Sequence, residues 1–213
     1  MRANCSVNPN SPTCGGREPD CDDRAALRRD LLARRAALPC RARLDAALDA
    51  ALRQVLRALR PASIGAYCAT RGEYDPLPLL AALQRDEAAL QLALPVVDPP
   101  TRGMHFAAWR AGDALRDGPY GIAEPARTDA VLVPALLLLP CVGFAEVGLR
   151  LGYGGGYYDR YLAGRDEVFT VGLAFEACRL DHLHAEPHDQ LLDLVLTERA
   201  AYGLGADLLH EAG

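Results

Sequence analysis

The segment AVLVPALLLLPCVGF, residues 130–144, decides how the chain is read. It is almost continuously apolar. A strand with one solvated face alternates polar and apolar residues, whereas a strand in a parallel sheet is covered on both faces and does not. Proline cannot donate to a ladder, so Pro134 and Pro140 bracket the strand proper at 135–139. The run is also shorter than the roughly 18 apolar residues that would suggest a membrane span, and no other stretch reaches that length.

Directly downstream lies RLGYGGGYYDR, residues 150–160, with four glycines among five positions, then two tyrosines and an acid beside an arginine. Two readings of the loop stand side by side, a phosphate cradle and a flexible turn. Glycine lets backbone N–H groups surround an anion with no Cβ in the way. A helix starting near Tyr157 would add the positive end of its dipole. Arg150 offers a bidentate fork for phosphate, and Asp159 suits a magnesium ion carried by that phosphate better than the phosphate itself. Two familiar motifs fail. GxGxxG counted from Gly152 needs glycine where Tyr157 stands, which disfavours a Rossmann-type oxidoreductase. All 23 basic residues are arginine, so a Walker A lysine and lysine Schiff-base chemistry are excluded.

Outward from this centre the elements alternate. RAALRRDLLARRAAL and RARLDAALDAALRQVLRAL repeat leucine at helical spacing, the second through Leu44, Leu48, Leu52 and Leu56. SIGAYC (63–68) reads as a strand, DPLPLLAALQRDEA as a helix with prolines at its start, and LQLALPVV (90–97) and GMHFAAWR (103–110) as strands. EVFTVGLAF (167–175) and LLDLVLTE (191–198) complete the set. The order predicts an α/β fold: a single open, mostly parallel sheet flanked by helices, with two N-terminal amphipathic helices and a ligand at the carboxyl ends of the strands. Residues 23–213 are expected to form one domain. Residues 1–22, polar and rich in Asn, Pro, Ser and Gly, are expected to be a disordered extension without the apolar core of a signal peptide. A net charge of −5 argues against a nucleic-acid partner. A cytoplasmic protein with reduced cysteines is expected, with no membrane association, and a monomer.

The ordered segments together resemble the 5-formyltetrahydrofolate cyclo-ligase, or methenyltetrahydrofolate synthetase, family. RAALR (24–28), YCATRGEYDPLPLL (67–80), GPYGIAEP (118–125), LPCVGF before the glycine loop, RLGYGGGYYDRYL, VGLAFEA (171–177) and EPHDQLLDLVLTE (186–198) carry the resemblance, which spans about residues 24–198. It implies an ATP-dependent ligase acting on 5-formyltetrahydrofolate, with ATP as co-substrate and Mg²⁺ as cofactor. By the same resemblance Arg24, Arg28, Arg150, Leu151, Gly152, Tyr153, Gly154, Gly155, Gly156, Tyr157 and Tyr158 would contact ATP. Cys68, Glu73 and the Tyr153–Tyr157 stretch would line the folate pocket, Asp159 and Asp193 would hold the metal, and Arg150 and Tyr157 would serve catalysis. The sequence departs from the family pattern at Arg24, Ala135, Ala145 and Cys178, where lysine, an acid, aspartate and glutamine are usual. A non-catalytic folate- or nucleotide-binding protein on the same fold is the alternative. His182, His184 and His188 form an HxHxxxH pattern that raises a zinc site, against a simpler reading in which Asp189 partners His188.

Overall fold

The computed structural model describes residues 21–206. The expected extension therefore lies outside the described residues except for Cys21 and Asp22, which open the first helix.

Two helices, α1 (Cys21–Ala36) and α2 (Arg41–Leu59), precede β1 (Ser63–Gly65), α3 (Leu77–Asp86), β2 (Gln91–Asp98) and β3 (Gly103–Trp109). A short hairpin, β4 (Leu115–Asp117) and β5 (Ala123–Pro125), leads to β6 (Leu136–Pro140). Then follow β7 (Gly143–Ala145), β8 (Arg150–Leu151), α4 (Tyr157–Leu162), β9 (Phe169–Leu173), β10 (Arg179–Leu180), β11 (Leu194–Leu196) and β12 (Ala201–Tyr202).

Seven strands make the main sheet, in the order β12-β11-β9-β6-β1-β2-β3. The five inner strands are parallel to their neighbours, and an antiparallel strand closes each edge. β6 occupies the centre. Leu136 and Leu138 face one hydrophobic cluster with Leu48, Leu52 and Val55 of α2 and Leu79 and Leu80 of α3. Leu137 and Leu139 face another with Phe106 of β3 and Tyr161 and Leu162 of α4. The run is continuously apolar because its alternate side chains feed two cores. Burial of each such leucine contributes about 1.5–3 kcal/mol.

The third strand expected from sequence is present, but it returns antiparallel to β2 as a hairpin, from Leu92↔Trp109 to Asp98↔Gly103. Strands β7, β8 and β10, without a signal in the sequence pattern, form a separate three-stranded sheet after the carboxyl end of β6. Strands of two or three residues carry no readable alternation.

The chain leaves β1 through α3 towards β2 on one side, and leaves β6 through α4 towards β9 on the other. β1 and β6 are neighbours. The sheet therefore has its topological switch point between them, the place where open α/β sheets bind ligands. Two loops rise there, one after Gly65 and one after Pro140.

Candidate active site at the switch point

The glycine loop connects β8 to α4 in the second of these loops. Gly154 has φ +92° and Gly156 has φ +63°, conformations in which a side chain is strained. Three guanidinium groups close around it. Arg28 of α1 donates from Nε to the Gly152 carbonyl at 2.8 Å. Arg160 donates to the Gly155 carbonyl at 2.7 Å. A Cβ at Gly152 would sit 2.6 Å from Nη1 of Arg150, one at Gly154 3.3 Å from Cζ of Arg28, and one at Gly156 2.7 Å from Nη1 of Arg160. The glycines are thus required for backbone and cations to crowd together, which favours the anion cradle over the flexible turn. The expected helix dipole adds little, since α4 has only six residues.

Arg150 is buried. Its Nη2 donates to both oxygens of Asp159 at 3.2 Å, and the two side chains are 5% and 15% exposed. The Arg150 guanidinium stacks 5.4 Å from the Tyr158 ring, and its Nε is a buried donor with no acceptor among the described residues. Asp159 also accepts from the Gln190 N–H at 3.4 Å. Leu151 lies fully buried under the loop with Leu31 and Val142.

The loop after β1 supplies Glu73. The side chain is 8% exposed; Oε1 accepts from the Tyr153 hydroxyl at 2.5 Å, and Oε2 from the Thr70 N–H at 2.7 Å. Burial pushes the carboxyl above its ordinary value, against the opposing pull of these hydrogen bonds and of Arg35. Burial and then the Glu73 charge push the Tyr153 hydroxyl up to about 12, so it stays protonated and donates. Cys68, half buried in the same loop, has its thiol pushed up to about 11 by burial and then by Asp75 and Glu124, which makes it a neutral lining group. Tyr157 shares a 2.8 Å hydroxyl contact with Tyr120 of the 118–122 turn, with the rings 6.0 Å apart at 61°.

Two expected site residues are engaged elsewhere. Arg24 grips the 184–189 loop: Nη2 meets Asp189 at 2.6 Å and the His184 carbonyl at 2.7 Å, and Nη1 meets Glu186 at 3.3 Å. Burial opposes ionisation of Asp189, but Arg24 and the Glu186 N–H outweigh it and hold the carboxyl below its ordinary value. Asp193 precedes β11 instead of lying within a strand. Its Oδ2 accepts from the Thr170 N–H at 2.8 Å and hydroxyl at 2.7 Å, at the amino ends of β9 and β11, and it shares no hydrogen-bond partner with Asp159. A carboxylate between apolar neighbours is costly unless exposed, paired or on metal, and Thr170 supplies pairing for one of its oxygens.

Among the described residues the three histidines do not converge. Glu186, His188 and Asp189 do, within 4.8 Å, but Arg24 already pairs with both carboxylates, and His188 pairs with Glu186 at 3.2 Å. Two surface clefts of about 410 and 520 Å³ share no residue with the crevice. Sequence reading gave no role to Arg35, Thr70 and Tyr120, and saw Arg160 only as the arginine beside Asp159. Thr70 and Tyr120 lie within segments that carry the family resemblance, and Arg35 is a charge on the same helical stripe as Leu31.

Fold and crevice together define the class, an α/β domain with a glycine loop crowded by guanidinium groups beside a buried carboxylate at the switch point of a mostly parallel sheet. The chain belongs to the 5-formyltetrahydrofolate cyclo-ligase family, whose model matches residues 20–198, and it is accordingly a ligase. It is 32% identical to the 5-formyltetrahydrofolate cyclo-ligase of Escherichia coli K12 over 142 residues, 63% of this chain and 77% of that one. The Haemophilus influenzae cyclo-ligase is 29% identical over 142 residues, covering 63% and 75%. A solved 5,10-methenyltetrahydrofolate synthetase from Aquifex aeolicus superposes with a TM-score of 0.72 at 27% identity, over 85% of this chain and 92% of that one. A synthetase from Mycoplasma pneumoniae shares the fold, with a TM-score of 0.67 at 24% identity over 83% and 99%. Among the described residues no helix is long and apolar enough to cross a membrane.

Proposed function

We propose that the protein converts 5-formyltetrahydrofolate to 5,10-methenyltetrahydrofolate at the expense of ATP, with Mg²⁺, releasing ADP and phosphate. The observation that carries this reading is Tyr153. Its backbone belongs to the glycine cradle and its hydroxyl to the Glu73 pocket, so an anion in one lies beside a flat hydrogen-bonding ring in the other.

The N5-formyl group is amide-like and its oxygen is a poor leaving group. Transfer of the γ-phosphoryl to that oxygen, with ADP leaving, creates a good one. N10 of the same folate then attacks the formyl carbon and loses its proton, and phosphate departs with the original formyl oxygen. No covalent nucleophile is needed, in keeping with the neutral Cys68. The residues' task is alignment and charge stabilisation.

In this reading Arg28, Arg160 and the backbone of Gly152–Gly156 hold the phosphates, and the unpartnered Nε of Arg150 awaits an acceptor from the ligand. Glu73 accepts from pterin N–H groups, with Cys68 and Tyr157 lining the ring. Asp159 is the carboxylate that would hold Mg²⁺, which supplies neutralisation of phosphate charge; one or two carboxylates plus phosphate oxygens suffice for that ion. Asp193 would act as a ligand only through the oxygen that Thr170 leaves free. Arg24 can reach a nucleotide only by giving up Asp189.

Mixing the protein with 5-formyltetrahydrofolate and ATP tests the reading. ATP-dependent growth of the methenyl-folate absorbance band is expected; folate binding without turnover would instead identify a binding protein.

A further inference from the structure

Helix α1 presents Arg24, Arg28, Leu31 and Arg35 at i, i+4, i+7 and i+11, one stripe along one face. Arg24 grips the 184–189 loop and Arg28 the glycine loop. Arg35 is only 3% exposed and is spent on neither surface charge nor a direct carboxylate partner. Its Nε donates to the Arg71 carbonyl at 3.2 Å, in the loop after β1. Its Nη1 donates to the Cys141 carbonyl at 3.1 Å, in the loop after β6. Its Nη2 donates to the Tyr153 hydroxyl at 2.6 Å, and that hydroxyl donates on to Glu73. One buried cation therefore ties together both loops of the switch point, and its counter-charge is reached through a tyrosine.

We propose that Arg35 is a positioning residue of the ligase reaction, fixing the Tyr153–Glu73 pair and holding Glu73 as the carboxylate that receives the folate. The proposal rests on the reading of Glu73 as a folate acceptor. An isolated buried cation is costly unless it is paired and hydrogen-bonded, and the relay through Tyr153 meets that requirement. The other groups facing Glu73 cannot replace it. Arg41 of α2 donates to the Glu73 backbone carbonyl, not to its carboxylate. Arg71 lies exposed over the Tyr153 ring at 5.3 Å. Tyr67, Cys141 and Tyr158, from the remaining sides, are neutral groups whose own ionisation burial opposes.

The experiment compares native protein with Arg35→Met and Arg35→Lys. Carbon-13 NMR of labelled glutamate carboxyls, with Glu73 assigned by its loss in Glu73→Gln, follows the titration without any ligand. Arg35→Met is expected to move the Glu73 midpoint to higher pH and Arg35→Lys to move it back towards native. Binding of 5-formyltetrahydrofolate without nucleotide gives the functional arm. The ratio of Kd at pH 6 to Kd at pH 8 should be larger in Arg35→Met than in the native protein, because a larger fraction of Glu73 is protonated at pH 6. ATP affinity should change less than threefold.

An unmoved Glu73 midpoint overturns the proposal, as does an equal, pH-independent loss of ATP and folate affinity, which would make Arg35 a structural pin only. Should Arg35→Met not fold, Tyr153→Phe keeps the guanidinium and its two carbonyl bonds but cuts the relay; it must move the midpoint in the same direction. Native protein that binds no folate but shows the NMR shift would remove the functional reading and leave the Arg35–Glu73 coupling standing.

Discussion

Replacing Asp159 by alanine separates its two roles, and the structure gives the size of the structural one. Among the described residues the carboxylate is the only counter-charge on Arg150, through two 3.2 Å contacts, and side-chain exposures of 5% and 15% leave little solvent to screen the pair. Alanine would leave a buried guanidinium whose Nε already lacks an acceptor. Breaking such a pair from one side costs about 3–5 kcal/mol. The Tyr158 ring remains against the cation, which places the loss near the lower end, about 3 kcal/mol. In a chain of this size each kcal/mol moves Tm by about 2–4 °C, so ligand-free Asp159→Ala should melt about 6–12 °C below native in differential scanning calorimetry. Adding Arg150→Met removes the stranded charge and should recover at least half of that difference. Turnover should fall by about 10²-fold or more, since a group that neutralises transferring charge is lost. A Tm within about 2 °C of native, or no recovery in the double variant, would refute the buried pair; native turnover with unchanged magnesium dependence would remove Asp159 from the site.

Glu73→Gln should weaken 5-formyltetrahydrofolate binding by about tenfold, the loss of one charged hydrogen bond, and change ATP binding less than twofold by calorimetry. The same carboxyl is raised above 4.5 in the fold, so its contribution to stability is fully present below that pH and is lost as pH rises through the folded value. Native protein should therefore lose Tm relative to Glu73→Gln on going from pH 4.5 towards neutrality, and a constant difference would contradict the burial argument. Asp189 runs the other way. Its carboxyl is held below 3.8, so its bridge to Arg24 stabilises above that pH and fades as pH falls through the lower folded value; Asp189→Asn should lack this acid limb in thermal melts. Gly154→Ala, at φ +92° and with Arg28 3.3 Å from the new Cβ, should cost about 1–2 kcal/mol and weaken ATP binding more than folate binding.

What sequence made legible was what repeats or accumulates. The unbroken apolar run at 130–144 announced a strand covered on both faces, expected at 135–139 and found at 136–140 with Pro140 inside it, and the spacing of Leu44, Leu48, Leu52 and Leu56 announced α2. Four glycines in five positions announced the cradle, although only the φ angles of Gly154 and Gly156 and the cations beside them distinguish it from a loose turn. Contacts made across the fold left no such trace. Arg24 and Asp189 are 165 residues apart, and Glu73 and Tyr153 are 80 apart; pairing at that range is decided by topology. The hairpin return of β3 follows from a four-residue connection, 99–102, that the strand signal alone does not orient. The strand read over 191–198 takes in Asp193, which in the fold precedes β11 and is held by Thr170, 23 residues away.

The most direct test of the central claim follows the formyl oxygen. Substrate labelled with ¹⁸O in the N5-formyl group is turned over with ATP and Mg²⁺, and the released phosphate is analysed by mass spectrometry. Phosphorylation of that oxygen before ring closure predicts one ¹⁸O atom in each phosphate, with one ADP formed per methenyl-folate. Unlabelled phosphate, with the ¹⁸O recovered in water, would contradict it.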